Sequence, residues 1–210
     1  MTENIEVFTQ SSIRINAGKI LYFDPFQHKQ NFNDADYIFI THDHYDHFSP
    51  DDIAKVVKED TVFVVPAKLE AEVKKLLPAK GSIVVTSPGE KYEMDGFTVE
   101  TVPAYNNFKP FHTKKAGWNG YIIVYNQTRI YVAGDTDANK DNRTVKCDVA
   151  LVPIGGTYTM NAREAAEFIN EIRPKVAIPT HYGSIVGSFK DANEFAEGVS
   201  EDIKVEIKIK

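Results

Sequence analysis

The stretch Thr41-His42-Asp43-His44-Tyr45-Asp46-His47 follows directly on the β-type segment Asp36–Ile40. Four side chains of metal-ligand type, His42, His44, Asp46 and His47, crowd into it, and they include three of the 6 histidines in the chain. On an extended segment residues 42, 44 and 46 project to one side, and a turn at 46–47 brings His47 round to a neighbouring position. Two imidazoles then hold one cation, and a carboxylate with an imidazole holds a second nearby. Imidazole and carboxylate together suit zinc, with manganese or iron as alternatives. No His-Glu-x-x-His pair occurs, so a helical zinc site is excluded.

Two further strand ends carry donor groups. Gly134-Asp135-Thr136-Asp137 follows the segment Arg129–Ala133. A carboxylate there, behind a glycine that lets the backbone approach closely, is placed to bridge two cations. Thr180-His181-Tyr182-Gly183 follows Val176–Pro179, and beside the histidine cluster His181 reads as a ligand for the second cation. Asp24 reads either as an acceptor behind a ligand imidazole or as a strand-end turn residue. His28 reads as structural or surface, and Cys147, at the start of an apolar strand, as buried and inert.

The flanking pattern is rich in strands. Ile5–Phe8, Ser12–Ala17, Lys19–Phe23, Asp36–Ile40, Thr61–Val65, Ile83–Thr86, Phe97–Val102, Gly120–Tyr125, Arg129–Ala133, Asp148–Pro153, Val176–Pro179 and Ile203–Ile209 carry β-branched and aromatic residues. Helices are predicted from Ser49 to about Val57, over Pro66–Leu77, behind the capping pair Asn161 and Glu164, and over Asp191–Val199. The strands fall into two sets with helices interspersed in each, which fits a layered α/β protein with two sheets. Ala104–Asn119 shows no periodicity, and a connection that long points to a functional loop.

Length and composition set the frame. A chain of 210 residues fits one domain, 1–210. A net charge of −6 argues against a broad grip on nucleic acid or anionic lipid. No apolar run approaches the ~20 residues of a membrane-spanning helix. With a single cysteine and a polar start at Met1–Gln10, the expectation is a cytoplasmic protein that engages no membrane.

His-x-His-x-Asp-His at 42–47, Asp135 and His181, in this order and all at strand ends, resemble the metallo-β-lactamase superfamily over nearly the whole chain. The resemblance implies a four-layer αβ/βα sandwich with a dinuclear metal site at one edge between the sheets. It also implies that Asp135 bridges and that His181 is the last metal histidine. The Gly-Asp-Thr form of the Asp135 element and the small size look most like small hydrolases related to ascorbate-phosphate lactonase. The family places one more metal histidine mid-chain after a strand. Here Asn106 occupies that slot, and His112 lies six residues on. Either His112 reaches back to complete the first site, or Asn106 contributes an amide oxygen or an outer hydrogen bond; imidazole is the better ligand.

The implied chemistry is hydrolysis of an ester, lactone or phosphoester by hydroxide formed between two cations, with Asp46 both ligand and proton carrier. The substrate is expected to be a small molecule, with an anionic one as an option. Asn106, Thr157 and Tyr158 are candidate contacts, because Gly155–Met160 leads into a helix N-terminus whose N–H groups suit an anion. Lys109, Lys114, Lys115 and Trp118 give the long loop a basic and aromatic character. Competing readings are a nucleic-acid phosphodiesterase, a di-iron redox protein of the same fold (which His44 argues against), and a binding protein with a weakened metal site. The oligomeric state is left open.

Overall fold

Residues 2–209 are described by a computed structural model. The first half of the chain builds one sheet from β1 (Ile5–Val7), β2 (Ile13–Asn16), β3 (Ile20–Phe23), β4 (Ala35–Phe39), β5 (Val57–Pro66) and β6 (Ser82–Thr86), in that spatial order. β1, β2 and β3 pair antiparallel, and β3 to β6 run parallel. The second half builds another from β7 (Lys91–Glu93), β8 (Thr98–Pro103), β9 (Asn119–Tyr125), β10 (Thr128–Val132), β11 (Val149–Pro153), β12 (Val176–Thr180) and β13 (Lys204–Val205). There β7 to β10 are antiparallel and β10 to β13 parallel.

Alternation along the central strands decides the layering. Leu21, Phe23, Tyr37, Phe39 and Val64 point into the space between the sheets, where they meet Tyr121, Ile123 and Val132. Their neighbours Tyr22, Ile38, Ile40, Phe63 and Val65 point outward, under α1 (Pro50–Val56) and α2 (Glu70–Val73). The far face of the second sheet is covered by α3 (Ala162–Ile172) and α4 (Phe189–Gly198), through Ala165, Phe168, Ile169 and Phe195. The order helix, sheet, sheet, helix is therefore the four-layer α/β sandwich expected from the sequence. Phe39 shows how the middle layer is packed: its ring stacks on Phe23 at 4.6 Å and meets Tyr121 edge-on at 5.2 Å.

Local signals set the helix ends. Ser49 caps α1, and Asn161 with Glu164 forms a complete capping box on α3. α4 starts two residues before the predicted Asp191, because Ser188 is the cap and Asp191 its third-position partner. The helix expected over Pro66–Leu77 is broken into 3-10 turns at 67–69 and 74–76 around the single turn α2. Leu69 and Val73 are its buried anchors on the sheet, and Leu76 and Leu77 pack against them only partly buried. β7 was not expected, since Lys91-Tyr92-Glu93 has no apolar face. Ile203–Ile209 forms only the two-residue β13: Ile203 and Ile209 are buried while Ile207 is 41% exposed, so the sequence alternation does not follow one strand face.

Candidate metal centre

The parallel strands end on one edge of the sandwich, where the segments after β4, β10 and β12 deliver donors. In open α/β sheets that carboxyl edge is where ligands bind. β4 stops at Phe39, and the chain then makes a tight turn in which His47 N–H and Phe48 N–H both donate to His44 O, at 3.0 and 2.8 Å. The turn throws His47 back beside His42. Asp24, just past β3, has a left-handed backbone, φ 43°. Its buried carboxylate accepts Thr41 N–H at 2.8 Å and Thr41 Oγ1–H at 2.6 Å, and it lies 2.7 Å from His47 Nδ1. Thr41 Oγ1 in turn lies 3.0 Å from His42 Nδ1. Asp24 is thus both the turn residue and the acceptor, and it holds His42 and His47 with their Nε2 atoms facing the centre.

Two glycines let the other elements close in. Gly134 has φ +65°, and a Cβ there would sit 3.1 Å from Thr41 Cβ, so only glycine brings Asp135 against the histidine turn. At Gly155, after β11, a Cβ would fall 2.3 Å from the carbonyl oxygen of His181.

The donors converge as three overlapping groups: His42, His44 and His112; His42, His47 and Asp135; Asp46, His47 and His181. His42 Nε2 and His44 Nδ1 are 3.1 Å apart. Asp135 spans the set, with Oδ1 3.3 Å from His47 Nε2 and Oδ2 3.3 Å from His112 Nε2 and 3.2 Å from His181 Nε2. Asp46 Oδ2 lies 3.3 Å from His181 Nε2 and 3.5 Å from His47 Nε2. His47 Nε2, His112 Nε2, His181 Nε2 and Asp135 Oδ1 are buried with no hydrogen-bond partner. Four orphaned polar atoms facing one small volume are costly unless something occupies it. Imidazole and carboxylate donors in this ratio fit divalent zinc, manganese or iron.

The fields within the cluster divide the histidines. Burial, reinforced by the charge of His47, drives the His42 imidazole well below its ordinary value, and burial with His112 lowers His44. Both are neutral at pH 7, with a lone pair available. Burial also acts against charge on His47 and His181, but there it loses. Asp135 and Asp24 hold His47 well above its usual range, and Asp135 with Asp46 lifts His181 to about 9. Burial would raise Asp135, yet the His181 and His47 charges hold its carboxyl far below normal.

The long loop brings the ring of His112, and not the side chain of Asn106, into the first group of donors. His112, at φ 55°, turns back from the loop and its ring joins His42 and His44, while its carbonyl accepts Asn106 N–H at 2.7 Å. Asn106 stands behind it. Its Nδ2 lies 3.3 Å from His112 Nδ1 and donates to Tyr158 O at 2.6 Å. Trp118 is buried, its ring 4.9 Å from His42, 5.1 Å from His44 and 5.3 Å from His112, and it walls the first group off from water. Nothing in the local sequence marked that role.

The other expected contacts distribute unevenly. Tyr158 lines a cavity of about 420 Å³ that opens on Asp46, Asp135 and His181; Asn106 and Thr157 do not. The N–H groups of Gly156 and Thr159 donate within their own turn, and those of Asn161 and Glu164 are taken by the capping box of α3. Lys109 is paired with Asp137 and donates to Thr159 O, and Lys114 is paired with Asp141. His28 is structural: it is buried, 3.3 Å from Ser12 Oγ, among Phe8, Tyr22 and Phe32. Cys147 is half-buried rather than buried, and burial pushes its thiol up to about 12.

Residues 4–181 match the model of the β-lactamase superfamily domain. The chain belongs to the metallo-β-lactamase superfamily. A relative from Pyrococcus abyssi, named a metal-dependent hydrolase, is 29% identical over 96% of this chain and 94% of its own. A crystal structure from Parabacteroides distasonis, described as a metal-dependent hydrolase, superposes with a TM-score of 0.83 at 30% identity, covering 98% of this chain and 93% of that one. Igni18, a metallo hydrolase from Ignicoccus hospitalis, shares the fold at a TM-score of 0.77 and 23% identity, over 98% and 94% of the two chains. Among the described residues no helix is long and apolar enough to cross a membrane.

Proposed function

We propose that this chain, a metal-dependent hydrolase by family, cleaves a small ester, lactone or phosphoester at a pair of divalent cations, zinc in the first instance. His42, His44 and His112 would hold one cation and Asp46, His47 and His181 the other, with Asp135 within reach of both sets. Asp135 carries the reading: its two oxygens lie 3.2–3.3 Å from imidazoles of both sets. Bound there, the cations would supply a water acidified toward neutral pH and a Lewis acid for the electrophile.

The chain's own residues do the rest. Asp24 and Thr41 fix two rings from behind, and Trp118 keeps bulk water off the first set. Asp46 is at the cavity wall and is the group that carries protons. It takes one from the attacking water and delivers it to the leaving oxygen as the acyl or phosphoryl bond to that oxygen breaks. The products are an acid and an alcohol, and no Ser or Cys nucleophile is required. A small substrate rather than nucleic acid suits a net charge of −6. The single Cys147 suits a reducing cytoplasm.

Metal analysis of the purified protein, followed by ester, lactone, thioester and phosphodiester substrates with and without chelator, tests this. Turnover that is lost on chelation and restored by zinc or manganese is expected. Protein that binds no metal, or that hydrolyses equally well in chelator, would defeat it.

A further inference from the structure

The walls of the catalytic cavity point to a substrate class. Apart from the metal-centre donors and Asp43, the lining is apolar: Tyr45, Phe111, Tyr158, Ile185 and Val186. Four of these are unusually exposed for their type, Tyr45 at 67%, Phe111 at 46%, and Tyr158 and Ile185 at 37% each. Phe111 and Tyr158 meet edge-on at 5.0 Å and form one wall, with Ile185 and Val186 also in the lining. No lysine or arginine is among the lining residues. The nearby cations are already paired: Lys68 with the lining residue Asp43, at 2.7 Å, where it also sits over the Trp118 ring, and Lys109 with Asp137 and Thr159. The one charged side chain of the lining beyond the centre, Asp43, is an acid.

Resting on the hydrolase reading above, we infer that the substrate is a neutral ester or lactone whose acyl part carries an apolar alkyl or aryl body. That body lies between the Phe111–Tyr158 wall and Ile185, while the carbonyl faces the donors. A carboxylate or phosphate on the distal end would be desolvated against aromatic rings with no lysine or arginine in the lining, and it would have to compete with Asp43 for Lys68. A cavity of about 420 Å³ has room for a compact body.

The test uses zinc-loaded protein and p-nitrophenyl esters from acetyl to hexanoyl, with a carboxylate-ended adipoyl ester of matched length. The affinity of the uncleaved amides, acetamide to hexanamide, is measured by calorimetry. Burial of each methylene is expected to raise kcat/KM and amide affinity about fourfold, or roughly two-hundredfold over the series. The adipoyl ester should run at least about tenfold slower than the hexanoyl ester. Phe111→Ala and Tyr158→Ala, both at partly exposed positions that the core does not need, should flatten the chain-length slope. A flat slope in both series, or preference for the adipoyl ester, would overturn the inference while leaving the hydrolase reading in place. Amide affinity that climbs with chain length, but with no ester, lactone or phosphodiester turned over, would support the apolar wall and overturn the hydrolase reading instead.

Discussion

Replacing Asp24 by asparagine and by alanine separates what this buried carboxylate does for the fold from what it does for the metal centre. Its two oxygens serve three donors: Thr41 N–H, Thr41 Oγ1–H and the His47 Nδ1 side of the ring. In Asp24→Ala all three lose their acceptor. At about 1–3 kcal/mol for each unsatisfied buried donor, the loss is roughly 3–9 kcal/mol, comparable to the whole stability of a typical domain. Alanine also tolerates the left-handed φ of 43° poorly. Asp24→Ala is therefore expected to unfold or nearly so. Asparagine accepts that backbone and keeps one oxygen, so Asp24→Asn should lose only about 1–3 kcal/mol. What it loses is the charge behind His47 and one acceptor, and such outer partners of metal ligands are worth about 10–100-fold in affinity. Urea unfolding in metal-free buffer reads the first quantity, and zinc titration against a chromophoric chelator reads the second. If Asp24→Asn binds zinc within about threefold of the parent protein, Asp24 does not orient His47 in the way argued.

Four other outcomes are expected. Gly155→Ala places a methyl group 2.3 Å from the His181 carbonyl, so the His181 segment must shift; bound zinc and turnover should both fall while far-ultraviolet dichroism stays native. Zinc entry should expel protons from His47 and His181, so calorimetry at pH 7 in buffers of different ionisation enthalpy should count net release, and none released would contradict the arrangement. The same protons stabilise the metal-free protein below about pH 6.5, and that contribution should vanish as pH rises through about 9, where His181 titrates. Burial acts to raise Glu206, but hydrogen bonds from Lys204, Thr2 and Lys208 bring it down to about 2; the stability it adds above about 4.5 should drain away as pH falls toward 2, and Glu206→Gln should remove that part of the acid dependence in thermal melts.

Much of the centre was legible because its donors follow β-strands with clear patterns. His42, His44, Asp46 and His47 lie in one turn, and Asp135 and His181 each follow an apolar strand, so spacing and strand ends together pointed to one edge of the fold. His112 was legible only by chemistry, as the one histidine in a loop without periodicity. Its arrival depends on a left-handed residue, on the Asn106 backbone contact and on Lys109 reaching Asp137 and Thr159, none of which leaves a local sequence signature. Asp24 was read with two alternatives because a strand-end aspartate looks the same from the sequence whether it caps itself or supports a ligand 23 positions away. Of the apolar wall only Tyr158 was named in advance, and the rest was missed for a similar reason. Tyr45, Phe111, Tyr158 and Ile185 come from four separate loops, and isolated apolar residues in loops are ordinary until the fold assembles them. Errors in the elements fell where packing, not propensity, decides: the broken 67–76 segment, the short β7 held by Tyr92 alone, and a C-terminal segment whose strand ends at Val205.

The most direct measurement is an anomalous-difference map at the zinc edge from crystals grown with zinc. Two peaks about 3.5–4 Å apart are expected, one against His42, His44 and His112 and the other against Asp46, His47 and His181, with Asp135 reaching both. A single peak, or peaks that leave His112 or His181 without an ion, would contradict the two-cation centre.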